Sequence, residues 1–160
     1  MVSFAVHGGP PVAPEKSAEA RKLFEQTLGQ YHLPSAEAQG ADRQKLLREA
    51  ATGYERVLKN FSAVSPWGAQ ALRSLANVRA AQGSITEAVR LHAHLEKKYP
   101  REEWEILQSW KSAADLLWEN NRRGEARTFY RKIIARFDQP NAAAITRAIV
   151  RGSKARLSGA

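Results

Sequence analysis

Apolar side chains recur along this chain with a short period and a long one. Counting from Ala88, His92, Leu95 and Tyr99 follow at +4, +7 and +11, which is one stripe of a helix with about 3.6 residues per turn. The pattern then repeats at long range. Glu49-Ala50, Glu87-Ala88 and Glu125-Ala126 are spaced by 38 and 38 residues. The segments that follow read EAATGYERVLKNFS, EAVRLHAHLEKKYP and EARTFYRKIIARFD. In each, an aromatic or His lies four after the Ala, an aliphatic three further on, and an aromatic (Phe61, Tyr99, Phe137) near the end. A fourth such segment, EARKLFEQTLGQYH, begins at Glu19, at a shorter spacing of 30 from Glu49.

Between these copies lie other segments in helical phase. Residues 66–82 align Leu72, Leu75, Ala76 and Val78, and residues 102–121 align Leu107, Trp110, Ala114 and Leu117. Gly83 and Gly124 stand where a left-handed residue ends the first helix of a pair. Ser65-Pro66 reads as an N-cap followed by a first-turn proline, and Pro100 and Pro140 stop the second helices. No stretch alternates with period two, so no sheet is expected. The predicted map has seven helices, at 15–31, 41–61, 66–82, 85–98, 102–121, 124–137 and 141–155, with a loop at 32–41. Gly8, Gly9, Pro10, Pro11 and Pro14 make residues 1–14 an extended arm ahead of one helical domain over 15–157.

Charge changes this picture at one end. Residues 1–121 hold 15 Lys/Arg and 14 Asp/Glu, a balance of +1, whereas residues 122–160 hold 10 Lys/Arg and two acids, a balance of +8. That places a cationic surface on a neutral body, either to meet something acidic or to keep one helix face solvated. The chain has no cysteine, which excludes disulfides and thiolate metal sites. No apolar run approaches the ~20 residues that span a bilayer. The opening MVSFAVHGGPPVAP has no basic segment followed by a long apolar one, so the chain as given is expected in the cytoplasm. A periplasmic location is expected instead if it is a truncated mature form.

The residues that carry catalysis elsewhere do not assemble here. His92 and His94 are two apart and point to different sides of a helix, and His92 takes the slot that is Tyr54 and Tyr130 in the other copies. Glu102, Glu103 and Glu105 read as acids at a helix N-terminus. No phosphate loop, nucleophile elbow or zinc motif occurs, so the expectation is a protein that is not an enzyme and uses no cofactor or metal. Two polar stripes are more informative. Trp104, Gln108, Lys111, Asp115 and Trp118 share one side of a helix, and 38 residues earlier stand Pro66, Gln70, Arg73, Asn77 and Ala80. Amide, basic and aromatic groups in that arrangement suit a peptide backbone and an acidic end. For Trp104 and Trp118, packing at a junction between repeats is the competing reading. Arg127 and Arg131 share a second face, as do Arg147, Arg151 and Lys154, opposite an apolar face of Ile145, Ala148 and Ile149 that packing is expected to consume.

These features resemble the tetratricopeptide repeat. In that motif a small residue opens the second helix, an aromatic follows one turn later and an aromatic-Pro pair closes the unit. Ala88, His92 and Tyr99-Pro100 take those places, as do Ala126, Tyr130 and Phe137-Asp138. In the first helix Leu72, Leu75 and Ala76, and then Trp110, Ala113 and Ala114, stand at the bulky, Leu and small positions. The likeness runs over residues 41–138 and is nearest in style to bacterial envelope-associated members of the Tol-Pal coordinator type. It implies an all-α fold, a right-handed superhelical array of antiparallel helix pairs forming an α-solenoid, with a concave groove lined by first helices. The function then expected is a non-catalytic scaffold or adaptor that binds a peptide or helix of another protein, with Gln70, Arg73, Asn77, Trp104, Gln108, Lys111, Asp115 and Trp118 in the groove. The alternatives are a basic adaptor touching nucleic acid or an anionic membrane through Arg127, Arg131, Arg147, Arg151 and Lys154, or a structural subunit of a larger complex.

Overall fold

A computed structural model describes residues 13–159, so the expected arm lies outside the described residues apart from its last two. Seven helices follow one another, with no strand among the described residues. They are α1 (Pro14–Thr27), α2 (Gly40–Phe61), α3 (Trp67–Ala81), α4 (Ile85–Lys98), α5 (Glu103–Glu119), α6 (Arg123–Phe137) and α7 (Ala144–Leu157). The first does not stop where a loop was expected. It runs on through a π-helical turn, Leu28–His32, and a last helical turn, Leu33–Ser35. Pro34 has no N–H to bond backwards and its ring crowds the carbonyl four residues before it; the wider π turn accommodates both demands.

The hairpin ends recur with the same 38-residue period. After α3, Gly83 takes φ +86°, and the amides of Gly83 and Ser84 bond back to Ala80 (2.9 Å) and Arg79 (2.9 Å). After α5 the left-handed residue is Asn121, at φ 60°, with Asn121 and Arg122 bonding back to Trp118 (3.2 Å) and Leu117 (2.8 Å). After α7 it is Gly159, at φ +81°. Residues 83, 121 and 159 are 38 apart, and so are the last helical residues 81, 119 and 157. Gly124, expected in this role, lies inside α6 instead. The expected cap at Ser65 is also absent. Pro66 is the N-cap residue of α3, with no side-chain bond to it, and the Ser65 hydroxyl donates to Glu102.

The predicted register holds in the core. Ala20, Ala50, Ala88 and Ala126 are fully buried, and so, four and seven residues on, are Tyr54, His92 and Tyr130, then Val57, Leu95 and Ile133. Each aliphatic side chain so buried stabilises the fold by roughly 1.5–3 kcal/mol. The small residue lets helices approach, and the larger ones fill the space beyond it. Every helix packs on the next in the chain, and α3 also packs on α1 and on α5. The copy that begins at Glu19 therefore belongs to a helix of the α1–α3–α5 row, although its stripe matches those of α2, α4 and α6. Between α5 and α7 no comparable packing occurs among the described residues.

Candidate functional site

Where α7 stands off from α5, a cleft of about 560 Å³ opens. Its polar wall is the outer face of α5, with Gln108, Lys111 and Asp115 half-buried. Lys111 Nζ lies 2.6 Å from Asp115 Oδ2, and the Tyr130 hydroxyl donates to Asp115 Oδ1 at 2.9 Å. Burial, and then the Asp115 carboxylate, push the Tyr130 hydroxyl well above the usual phenol range, so it stays a donor. The opposite wall is α7: Ile145, Ala148, Ile149, Gly152, Ser153 and Arg156.

The repeat register explains why the cleft is open. Thirty-eight residues before Ile145, Ala148 and Gly152 stand Leu107, Trp110 and Ala114, all buried. Along α7 two of the three are replaced by smaller residues, and all three positions are exposed, Ile145 at 57%. The helix is seated on α6 by Val150 and Ser153. Ile145 and Ala148 are thus not consumed by packing, contrary to the expectation from sequence, whereas Ile149, the third residue of that face, is half-buried against the core as expected. An apolar stripe of the kind that is core elsewhere in the molecule faces a polar wall across open space.

The other residues of the predicted groove divide by location. Gln70, Arg73 and Asn77 are half-buried along α3. Arg73 Nε bonds the carboxylate of Glu105, so this acid, buried in the first turn of α5, is an ion-pair partner between helices as well as a helix-terminal charge. Its neighbours are also engaged: Glu103 accepts from Arg136 at 2.6 Å, and Glu102 from Ser65. Asn77 lines a separate recess of about 240 Å³ with His92, Ser112, Asp115 and Glu119. His92 is buried as a core residue, and its Nδ1 has no hydrogen-bond partner among the described residues. Burial, helped by the charge of Arg73, pushes its pKa down to about 4, so it is neutral near pH 7.

The tryptophans part company. Trp110 is core, edge-on to Phe137 at 5.9 Å. Trp104 is 46% exposed on the first turn of α5, outside the cleft lining. Trp118 is half-buried against the core, edge-on to Tyr130 at 6.1 Å, with the Arg123 and Arg156 guanidiniums 5.1 and 4.7 Å from its ring centre. It sits at a junction of α5, α6 and α7 and is not a bare groove residue, which is the packing alternative raised above.

The cationic residues do not form one uniform patch. Arg147, Arg151 and Lys154 border a second recess, of about 380 Å³, beside the α6–α7 loop, where Asp138 pairs with Lys154 at 2.7 Å. Arg131 is exposed, whereas Arg127 is half-buried. Reasoning from sequence missed Arg156, Ile149 and Gly152 as cleft residues, and Tyr130 as more than core. The signal was present: carrying the 38-residue offset from α5 into α7 pairs Trp110 with Ala148 and Ala114 with Gly152. No protein-family model matches the chain, and no curated protein matches it.

Proposed function

We propose that this protein is a non-catalytic interaction scaffold whose α5–α7 cleft receives a segment of another protein. The observation that carries this is the bare core-type stripe of α7, Ile145, Ala148 and Gly152, facing Gln108, Lys111 and Asp115 across about 560 Å³. Binding sites are concave, largely apolar and furnished with a few fixed polar groups, and this cleft has those elements. Three left-handed caps at 38-residue intervals and the row α1–α3–α5 support a tetratricopeptide-like, right-handed superhelical array as the scaffold. Within that reading the α3 residues Gln70, Arg73 and Asn77 extend the same surface, and Trp104 lies at its edge.

A pull-down tests the proposal. Wild type and Ala148→Trp, a substitution at an exposed position that fills the cleft, are used as baits, and retained proteins are identified by mass spectrometry. A protein held by wild type and lost with Ala148→Trp is the expected result; identical retention by equally folded baits overturns the proposal.

A further inference from the structure

Around its circumference α7 has distinct faces, because successive residues are turned by about 100°. Val150 and Ser153 are buried, with Thr146, Ile149 and Leu157 half-buried beside them; this side sits on α6, and its Ile149–Ser153 margin borders the cleft. Next come Arg147, Arg151 and Lys154, all exposed. Beyond them lie Ala144, Ala148, Gly152, Ala155 and Ile145, also exposed, and then Arg156 at the cleft. A stripe of small and apolar residues therefore runs between an edge of three cations and the single guanidinium of Arg156.

We propose that this stripe seats an amphipathic helix of a partner protein whose own apolar stripe is flanked by carboxylates; the inference rests on the cleft reading above. The helical form follows from the dimensions. Ile145 to Arg156 covers about three turns, or ~17 Å, of one helix face, which matches the length over which two helices pack. Ala148 and Gly152 at its centre let a second helix axis come as near as ~8 Å. On α3 and α5 the same register positions, Leu72 and Ala76, then Trp110 and Ala114, are buried within the helical array.

The acidic flank follows from which charges are already satisfied. Asp115 is tied to Lys111 and Tyr130, and Asp138 to Lys154. Among the described residues, Arg123, Arg147, Arg151 and Arg156 are in no ion pair, and Arg123 and Arg156 both lie over Trp118. A neutral or basic helix would press against these guanidiniums without answering their charge; carboxylates at its edges would answer them in bidentate geometry. A second copy of this chain is the wrong occupant for the same reason, since two α7 helices face to face set three unanswered guanidiniums, Arg147, Arg151 and Arg156, against three.

The test uses three synthetic helical peptides of about three to four turns, each carrying fluorescein. One has a Leu stripe with Glu flanks, one a Leu stripe with Lys flanks, and one a Ser stripe with Glu flanks. Binding is read by fluorescence anisotropy at about 0.15 M salt, where long-range steering is largely screened. The expected order is the Leu/Glu peptide tighter than either control by about tenfold or more. Ala148→Trp, and separately the double variant Arg151→Glu with Arg156→Glu, should each weaken it by a similar factor, with circular dichroism confirming the helical fold. Failure of the Leu/Glu peptide to bind overturns the inference. Equal binding of the Leu/Lys peptide, abolished by Ala148→Trp, overturns the acidic preference and leaves the cleft reading standing. Binding of the Leu peptides untouched by Ala148→Trp removes the cleft reading itself. Equal binding of the Ser/Glu peptide identifies a plain polyanion site and overturns the inference as well.

Discussion

Gly53 and Gly152 both sit inside helices, yet their surroundings give them opposite consequences. A Cβ on Gly53 would fall 2.2 Å from Oγ1 and 2.5 Å from Cγ2 of Thr27, a stiff β-branched side chain whose hydroxyl is held by the Leu23 carbonyl at 2.8 Å. Gly53→Ala is therefore expected to lower stability by roughly 1–3 kcal/mol in urea unfolding, against the helix propensity of alanine, and Thr27→Ala in the same chain to restore part of that. A Cβ on Gly152 meets nothing within 4 Å, so Gly152→Ala should raise stability by up to about 1 kcal/mol. At His92 the variable is pH. The unfolded chain protonates near the ordinary histidine value of about 6.5, while the folded site holds at about 4. Its contribution is thus complete above about pH 6.5 and is lost as pH falls towards 4, by roughly 3 kcal/mol in all. Urea midpoints from pH 7 to pH 4 should show that slope. His92→Tyr, the residue of the neighbouring units, should flatten it in part, since burial also depresses His32. None of these neighbours is visible in sequence, where both glycines are only weak helix formers and His92 is only an odd tyrosine.

At the scale of elements, the period of the apolar stripe carried most of the information. Helices α2 to α6 begin and end within about two residues of the predicted bounds, because each boundary has a local cause in a cap, a proline or the end of a stripe. The failures came where one residue type serves two purposes. Gly124 looks like a terminator, but the register assigns that place to Asn121, which tolerates a left-handed backbone better than most residues that carry a side chain. Ser65 looks like a cap, but its hydroxyl is taken by Glu102, the residue just before α5, a tertiary choice with no local signal. Ala88 and Ala126, fully buried, should each cost roughly 1–3 kcal/mol when replaced by Leu, because helices meet there without space for a branched side chain. Thermal melts of both variants check this; unchanged midpoints would break the register. Trp118→Ala should lower the melting temperature, through loss of its contacts with Tyr130, Arg123 and Arg156, with a cost on the order of 2 kcal/mol.

Across the whole molecule, packing is uneven. The central helices α3 and α5 have neighbours on several sides, whereas α7 rests chiefly on α6 through Val150 and Ser153. Regions with few buried apolar contacts open first. Hydrogen exchange should accordingly be fastest through 144–157 and slowest in α3 and α5, and a Leu/Glu peptide, if it seats on α7, should slow 144–157 selectively. One wall of the cleft was legible from phase alone, since Gln108, Lys111 and Asp115 could be placed on one side of a helix. The other wall was not. Ile145, Ala148 and Gly152 keep the phase of a core stripe; the smaller residues at 148 and 152 mark a departure from Trp110 and Ala114, but only the spacing of α7 from α5 shows that the stripe is left bare.

The equal spacing of the left-handed residues at 83, 121 and 159 has a use in construction. A segment cut after Gly83 and closed after Asn121 enters and leaves through a left-handed residue, so residues 84–121 should serve as a cassette. Inserting a second copy of that cassette after Asn121 adds one pair of helices and keeps a left-handed residue at each junction. The lengthened protein should keep its helical content per residue and carry the α7 stripe outward intact, which turns the distance between the α3 surface and the terminal cleft into an adjustable ruler.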